Sequence, residues 1–287
     1  MNILIALICF AVISGILGLI LAFASKIFAV KVDERVEQIN ELLPGANCGG
    51  CGYTGCAALA EAIAQGKAPV NACNSVSDEI TEQIASVMGV KAEKSVRYRA
   101  QVMCSGTHEF AKKKYIYNGI ADCAAAMKLA GGDKLCPNGC IGLGTCKAAC
   151  KFDAIHIING VAAVDYDKCR ACGMCVAACP KGIITLIPYD AAHWVGCKST
   201  DKGAVTKNYC EVGCIGCKMC EKKCPTGAIK VTDFVAEIDY EKCTGCGECE
   251  KACPRKIIWS DNAQDTSGLI IDKAEIKEVP KEANDNN

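Results

Sequence analysis

The sequence is poor in histidine and aromatic residues, and it has no excess of charge of either sign. Its 287 residues include three His, two Trp and six Phe, with 32 Lys+Arg balanced by 32 Asp+Glu. Without a basic excess, nucleic-acid binding is not expected. No P-loop is present, which argues against nucleotide binding by the chain itself. His108, His156 and His193 have no neighbouring nucleophile or second histidine, which favours packing or surface roles.

Cysteine, in contrast, is abundant, with 25 residues that are bunched rather than spread. The segment CIGCKMCEKKCP, residues 214–225, has the spacing C-x2-C-x2-C-x3-C-P. Disulfides among Cys214, Cys217 and Cys220 would strain the backbone and close only short loops. Structural zinc sites usually lack a third close cysteine. The same spacing holds [4Fe-4S] clusters in two-cluster ferredoxins, and we therefore predict iron-sulfur clusters here.

An internal repeat appears when the chain is shifted by 74 positions against itself. Nine cysteines of the first copy then match cysteines of the second, from Cys123 with Cys197 to Cys179 with Cys253. Between the cysteines, the segments AIHI, AAVD, AIKV and AEID predict short strands, as in a βαββαβ ferredoxin unit. One match fails, because Leu143 corresponds to Cys217. Either Cys136 replaces the missing ligand, which we favour, or that cluster has only three irons.

The ligand sets follow from a property of two-cluster ferredoxins, in which the fourth cysteine of each run binds the other cluster. In the first copy this predicts one set of Cys136, Cys140, Cys146 and Cys179, and a second of Cys150, Cys169, Cys172 and Cys175. In the second copy it predicts one set of Cys214, Cys217, Cys220 and Cys253, and a second of Cys224, Cys243, Cys246 and Cys249. The remaining Cys104, Cys123, Cys197 and Cys210 either bind a sixth cluster or are buried thiols.

A further site is predicted ahead of the repeat. Apolar residues at helical spacing from Val32 to Leu43 end at Pro44-Gly45. A glycine-rich loop and a short Ala-rich helix then follow. Their cysteines form the pattern C-x2-C-x4-C-x16-C and are the expected ligands of one more cluster: Cys48, Cys51, Cys56 and Cys73. This makes five predicted clusters, or six if the four leftover cysteines also bind one.

The N-terminus predicts a membrane anchor. Residues 3–25 carry no charge and are long enough to cross a bilayer as one helix. A cleaved signal peptide is the alternative, but its apolar region would be shorter and would normally follow a basic start. Because Lys26, Lys31 and Arg35 follow the segment and no basic residue precedes it, the body should face the cytoplasm. We expect a single-pass protein of the inner membrane.

The order of these parts, an apolar N-terminus, then CGGCGYTGC, then GCIGCKMCEKKCPTGAI, resembles the B subunit of the Rnf complex, an ion-translocating ferredoxin:NAD+ oxidoreductase. The resemblance implies a component of a redox-driven translocase that takes electrons from reduced ferredoxin and passes them to membrane partners. The chain alone is then an electron carrier without catalytic residues. The alternatives are an iron-sulfur subunit of a hydrogenase or formate-oxidising complex, and a regulatory sensor, for which no signalling module is visible.

The predicted fold class is α+β, with five parts that are named here and used below. The membrane anchor comprises residues 1–30, and the N-terminal domain, which is small, helical and holds one [4Fe-4S] cluster, comprises residues 31–95. The first module, residues 96–190, and the second module, residues 191–260, are tandem two-cluster ferredoxin-like units. Residues 261–287 are a polar tail.

Overall fold

The computed structural model describes residues 2–27, 33–92 and 96–260 and shows a mixed fold of short helices and strands. The polar tail lies outside the described residues. Most elements are short because the cysteine runs and glycine turns between them leave only one or two turns of helix or a few strand residues. The α+β class predicted from the sequence is therefore confirmed.

The first helix, α1 (Asn2–Ile27), is 26 residues long. Its side chains are described at positions 5, 7, 8 and 10–23, all of them exposed, and those at 2–4, 6, 9 and 24–27 lie outside the description. Counting described residues alone, no helix reaches the combined length and hydropathy of a membrane span. The anchor expected over residues 3–25 stays a prediction.

Three helices form the N-terminal domain: α2 (Glu34–Leu42), α3 (Cys56–Ala64) and α4 (Asp78–Met88). The predicted amphipathic helix before Pro44 is confirmed as α2, which begins where the Asp33 carboxylate accepts a hydrogen bond from the Arg35 N–H. The helices pack through Ile39, Leu59 and Ile84, each at most 1% exposed. This small core positions the glycine-rich loop that precedes α3.

The first module contains four strands and three short helices. In chain order these are β1 (Tyr98–Val102), α5 (Cys123–Lys128), α6 (Thr145–Ala148), β2 (Ile155–Ile158), β3 (Val161–Val164), α7 (Met174–Ala178) and β4 (Ile184–Pro188). Strands β2 and β3 form an antiparallel hairpin, and β1 pairs antiparallel with β4. Both pairs fit the βαββαβ order, so the strands predicted at AIHI and AAVD are confirmed.

The second module repeats this arrangement. Its elements are β5 (His193–Val195), α8 (Gly203–Tyr209), α9 (Met219–Lys223), β6 (Ile229–Thr232), β7 (Val235–Ile238), α10 (Glu248–Ala252) and β8 (Ile258–Ser260). Strand β6 pairs with β7, and β5 pairs with β8. The strands predicted at AIKV and AEID are likewise confirmed.

The two modules pack against each other through an apolar cluster that contains Ile187 of the first module and Trp194 and Trp259 of the second. The Trp259 Nε1–H donates a hydrogen bond to the Ser105 hydroxyl at 3.0 Å. A short antiparallel bridge joins Ala111 to Cys210 nearby. These contacts bring the loops that carry the unassigned cysteines of both modules to one interface.

Candidate metal centres

The cysteine runs fold alike because each short helix begins directly after a turn residue with a positive φ. Helices α6, α7 and α10 follow Gly144, Gly173 and Gly247, whose φ values are 85°, 77° and 76°. At the same place before α9 stands Lys218, with φ 58°. This turn reverses the chain between the second and third cysteines of a run, so their sulfurs can face one volume.

One complete group lies in the second module. Cys214, Cys217, Cys220 and Cys253 line a cavity of about 330 Å³. This is the set predicted from the spacing, including the fourth cysteine supplied by the distant run.

The equivalent cavity of the first module, of about 360 Å³, is lined by a set that differs from the predicted one: Cys123, Cys140, Cys146 and Cys179. We expected Cys136 to replace the ligand that is missing at Leu143. That expectation is wrong for this cavity, because Cys123 takes the position. The reason is a local network in which the Thr145 hydroxyl accepts from the Cys123 N–H at 2.7 Å and donates to Asp122 at 2.9 Å. These bonds tie the start of α5 to the start of α6, which carries Cys146.

The other predicted group of the first module is present. Cys150, Cys169, Cys172 and Cys175 line a cavity of about 330 Å³. Its repeat counterpart consists of Cys224, Cys243, Cys246 and Cys249. There, burial raises the pKa of Cys249 to about 11, and the charges of Cys243 and Cys224 contribute to the rise, so these three lie close together. Cys246 is exposed, and its place in the set follows from the repeat.

A fifth group sits between the modules and uses cysteines of both. Its cavity, of about 380 Å³, is lined by Cys104, Cys136, Cys197 and Cys210. The sequence instead placed Cys123 in this leftover set, so Cys123 and Cys136 exchange places relative to the prediction. Cys136 comes here because the segment before it pairs with the loop at Lys112, whose carbonyl accepts from the Leu135 N–H at 2.8 Å.

The sixth group belongs to the N-terminal domain. The Asn47 side-chain oxygen accepts from the Cys56 N–H at 2.8 Å and so fixes the start of α3 against the loop. Burial raises the pKa of Cys73, and the charges of Cys51, Cys48 and Cys56 add to this. Cys73 therefore returns to the other three cysteines, as the sequence predicted.

Burial makes isolated thiolates unfavourable in these groups. It raises the pKa of Cys140, Cys175 and Cys220 to about 12. For Cys146 the pKa is also about 12, with burial the largest cause, followed by the charges of Cys140, Cys123 and Cys179. Such sulfurs become thiolates when a bound cation supplies positive charge.

Backbone N–H groups point at several of these sulfurs. The Ala100 N–H donates to Cys169 at 3.4 Å, and the Ala162 N–H donates to Cys140 at 3.5 Å. Donors of this kind stabilise negative charge on the thiolates of iron-sulfur clusters. Across the described part of the chain, no group of three or more His, Cys, Asp or Glu side chains is placed so that it could hold a metal ion. The sulfurs line four cavities instead, and a set of four soft thiolates round one cavity is the donor set that a [4Fe-4S] cluster requires.

Three family models match the chain over these same groups. A model for an Fe-S cluster covers residues 43–75, a 4Fe-4S binding domain covers 162–185, and a 4Fe-4S dicluster domain covers 213–257. Together with the sulfur-lined cavities, they define an iron-sulfur electron-transfer protein with ferredoxin-type domains.

Similar curated proteins give the particular family. The chain is 45% identical to the B subunit of the ion-translocating oxidoreductase complex of Methanosarcina acetivorans, over 81% of this chain and 89% of that protein. It is 44% identical to the B subunit of the Na(+)-translocating ferredoxin:NAD(+) oxidoreductase complex of Acetobacterium woodii, over 80% of this chain and 71% of that protein. It is 40% identical to the B subunit of the proton-translocating ferredoxin:NAD(+) oxidoreductase complex of Clostridium ljungdahlii, over 81% of this chain and 83% of that protein. The chain belongs to this family, the B subunits of ion-translocating oxidoreductase complexes.

Proposed function

We propose that the chain carries electrons from reduced ferredoxin along six [4Fe-4S] sites to partner subunits of an ion-translocating ferredoxin:NAD+ oxidoreductase. The observation that carries the proposal is the order of the six cysteine groups, because each group adjoins the next. A cluster bound at each site supplies one-electron redox chemistry. The protein's part is to hold the sites in sequence and to tune them through N–H donors and burial.

Contacts between neighbouring groups support this order. Burial raises the pKa of Cys172 and the charge of Cys48 adds to the rise, so these two cysteines are near one another. Burial likewise raises the pKa of Cys146, and the charge of Cys175 in the neighbouring group is among the additional causes. The Cys140 N–H donates to the Cys104 sulfur at 3.3 Å, which joins the first module to the interface group.

The order continues into the second module. Burial raises the pKa of Cys197 to about 12, and a hydrogen bond from the Cys214 backbone partly opposes this rise, so Cys197 and Cys214 are in contact. The Cys224 N–H donates to the Cys220 carbonyl at 3.1 Å, so the last two groups share helix α9. The groups thus form one row from the N-terminal domain to the second module.

The direction of electron flow is suggested by exposure at the end of the row. Cys217 and Cys246 of the second module are exposed, whereas every other described cysteine is buried or partly buried. A soluble protein donor can approach a site most closely where its ligands reach the surface. We therefore assign the second module as the place where reduced ferredoxin, named as the substrate of two relatives, delivers electrons.

The N-terminal helix supports a membrane anchor. At about 1.5 Å per residue, its 26 residues extend about 39 Å, more than the apolar thickness of a bilayer. Its described side chains are exposed and include Phe10, Leu19 and Phe23, each at least 69% exposed. Lys31 and Arg35 follow the apolar segment, which favours a cytoplasmic location for the clusters. A single crossing would keep the row beside its membrane partners.

Iron and acid-labile sulfide per chain, measured on full-length protein purified without oxygen, test the number of sites. Six cubanes require about 24 irons per chain and five require about 20. The native complex, supplied with chemically reduced ferredoxin, should then reduce NAD+, and an excess of a redox-inactive acidic ferredoxin, which competes for the second module, should stop this reduction. A complex that reduces protons or oxidises formate, and does not reduce NAD+, would refute the assignment of donor and acceptor.

A further inference from the structure

One cysteine run departs from the others at the residue that follows it. Cys179, Cys224 and Cys253 are each followed by proline, but Cys150 is followed by Lys151. The Lys151 ammonium donates to the carbonyls of Ala46 and Asn47, at 3.2 Å each. These carbonyls directly precede Cys48, so a lysine of the first module holds the cysteine loop of the N-terminal domain.

Two further contacts join the same surfaces. The Ser75 hydroxyl donates to the Arg170 carbonyl at 3.0 Å. A Cβ atom built on Gly50 would overlap the Cys172 carbonyl oxygen and lie 2.9 Å from the Cys172 Cα. Because real Cβ atoms do not approach backbone this closely, only glycine at position 50 permits the two cysteine loops to touch.

The second module provides an internal comparison, because it has the same loop without these contacts. The counterparts of Lys151 and Arg170 are Pro225 and Thr244, and proline has no ammonium to donate. Cys172 is partly buried, while its counterpart Cys246 is exposed. Within the described residues, the first module therefore makes contacts that the second module does not make.

We propose that Lys151, the Ser75–Arg170 bond and the close approach at Gly50 form an intramolecular docking surface, which holds the loop 46–51 of the N-terminal domain against the loop 169–172 of the first module. The inference rests on the proposed function in one respect only: docking places two cluster sites side by side. The clusters that these two cysteine groups would hold would supply one-electron transfer between neighbouring sites. Lys151, Ser75 and Gly50 are positioning residues, since they act through the loops that carry the ligands.

Hydrogen-deuterium exchange on full-length, cluster-loaded protein in detergent tests the docking independently of electron transfer. Lys151→Gln and Gly50→Ala should each speed exchange in peptides covering 44–54 and 168–172 by about threefold or more, as expected for loss of partly exposed contacts. The peptide covering 242–247 should exchange as in the unmodified protein. Lys230→Gln, at an exposed lysine of the second module, is the matched control and should change neither region.

A second readout uses the neighbouring clusters as probes. In half-reduced protein, two adjacent paramagnetic clusters broaden each other's EPR signals, so undocking should make these signals narrower. Iron per chain in Lys151→Gln should stay unchanged. Exchange at 168–172 that stays at the unmodified rate in both variants would overturn the docking proposal. Iron content reports on the proposed function and exchange reports on the docking, so the two proposals fail separately. Lys151 lies outside the loops 46–51 and 169–172. If Gly50→Ala does not fold, Lys151→Gln therefore still tests the docking.

Discussion

The two ferredoxin modules share strand pairing and cysteine spacing, but they obtain one ligand position differently. The second module has Cys217 inside its run, whereas the first has Leu143 there and uses Cys123, which comes earlier in the chain. The Thr145 hydroxyl, which accepts from the Cys123 N–H and donates to Asp122, fixes this distant cysteine in place. A ligand position can therefore move to another segment when a short hydrogen-bond network holds that segment to the original site.

The modules also differ in what covers them. In the first module, the loop with Cys172 lies under the N-terminal domain, and in the second module the equivalent loop with Cys246 is exposed. Two copies of one fold thus differ in their surroundings: the loop of the first contacts the N-terminal domain of the same chain, and Cys246 in the loop of the second is exposed. The following predictions either separate or equalise the modules, beginning with the largest effect.

Cys123 and Cys136 belong to different groups in the structure, so their losses should add. The double variant Cys123→Ser/Cys136→Ser should lose about eight irons per chain, and each single variant about four, because each removes one ligand from a separate cubane. Iron analysis of the purified proteins measures this. Serine is the matched replacement because it keeps the side chain's size and removes only the soft ligand. A double variant that loses about four irons would show that both residues serve one cluster.

The missing ligand of the first module should be restorable from its repeat. Cys123→Ser should lose about four irons, and adding Leu143→Cys should recover them, because position 143 corresponds to Cys217. Leu143 is partly buried beside Cys123, so the new sulfur starts near the cavity. The EPR spectrum of the rescued protein should regain the lost signal. Leu143→Cys alone should bind the same iron as the unmodified chain, and a rescue that fails would mean that Cys123 is needed for more than its sulfur.

Much of this arrangement could be predicted from sequence, because ligand spacing and the 74-residue repeat are local signals. The strands at residues 155–158 and 229–232, and the groups centred on Cys169 and Cys214, follow from them. The exchange of Cys123 and Cys136 could not be predicted, since it depends on tertiary bonds between segments. Leu143 was the one signal of an exchange, but spacing alone pointed to the nearer cysteine. The docking through Lys151 depends in the same way on a contact about a hundred residues apart in sequence.

The interface between the modules should lose stability when its buried tryptophan hydrogen bond is removed. Trp259→Phe deletes the bond to the Ser105 hydroxyl and leaves that hydroxyl without this donor. We expect a loss of about 1 kcal/mol, and a fall in Tm of about 2–4 °C, read from the visible absorbance of the clusters on heating. Ser105→Ala supplies the second side of a double-mutant cycle. If the two effects simply add, the hydrogen bond contributes nothing to the interface.

The smallest expected difference concerns the turn before α9. Lys218 has φ 58°, while its counterpart Gly144 adopts φ 85° without a side chain. Because a left-handed conformation costs an L-residue about 1–2 kcal/mol, and glycine costs some entropy, Lys218→Gly should stabilise the second module by about 0.5 kcal/mol. The side chain is exposed, so its removal should sacrifice little packing. Gly144→Ala makes the opposite change in the first module and should lower Tm, since a Cβ there meets Ile157 at an ordinary 3.6 Å and the strain comes from φ alone. Equal Tm values for both variants and the unmodified chain would mean that the cysteine groups, rather than the turn residue, set the backbone of these runs.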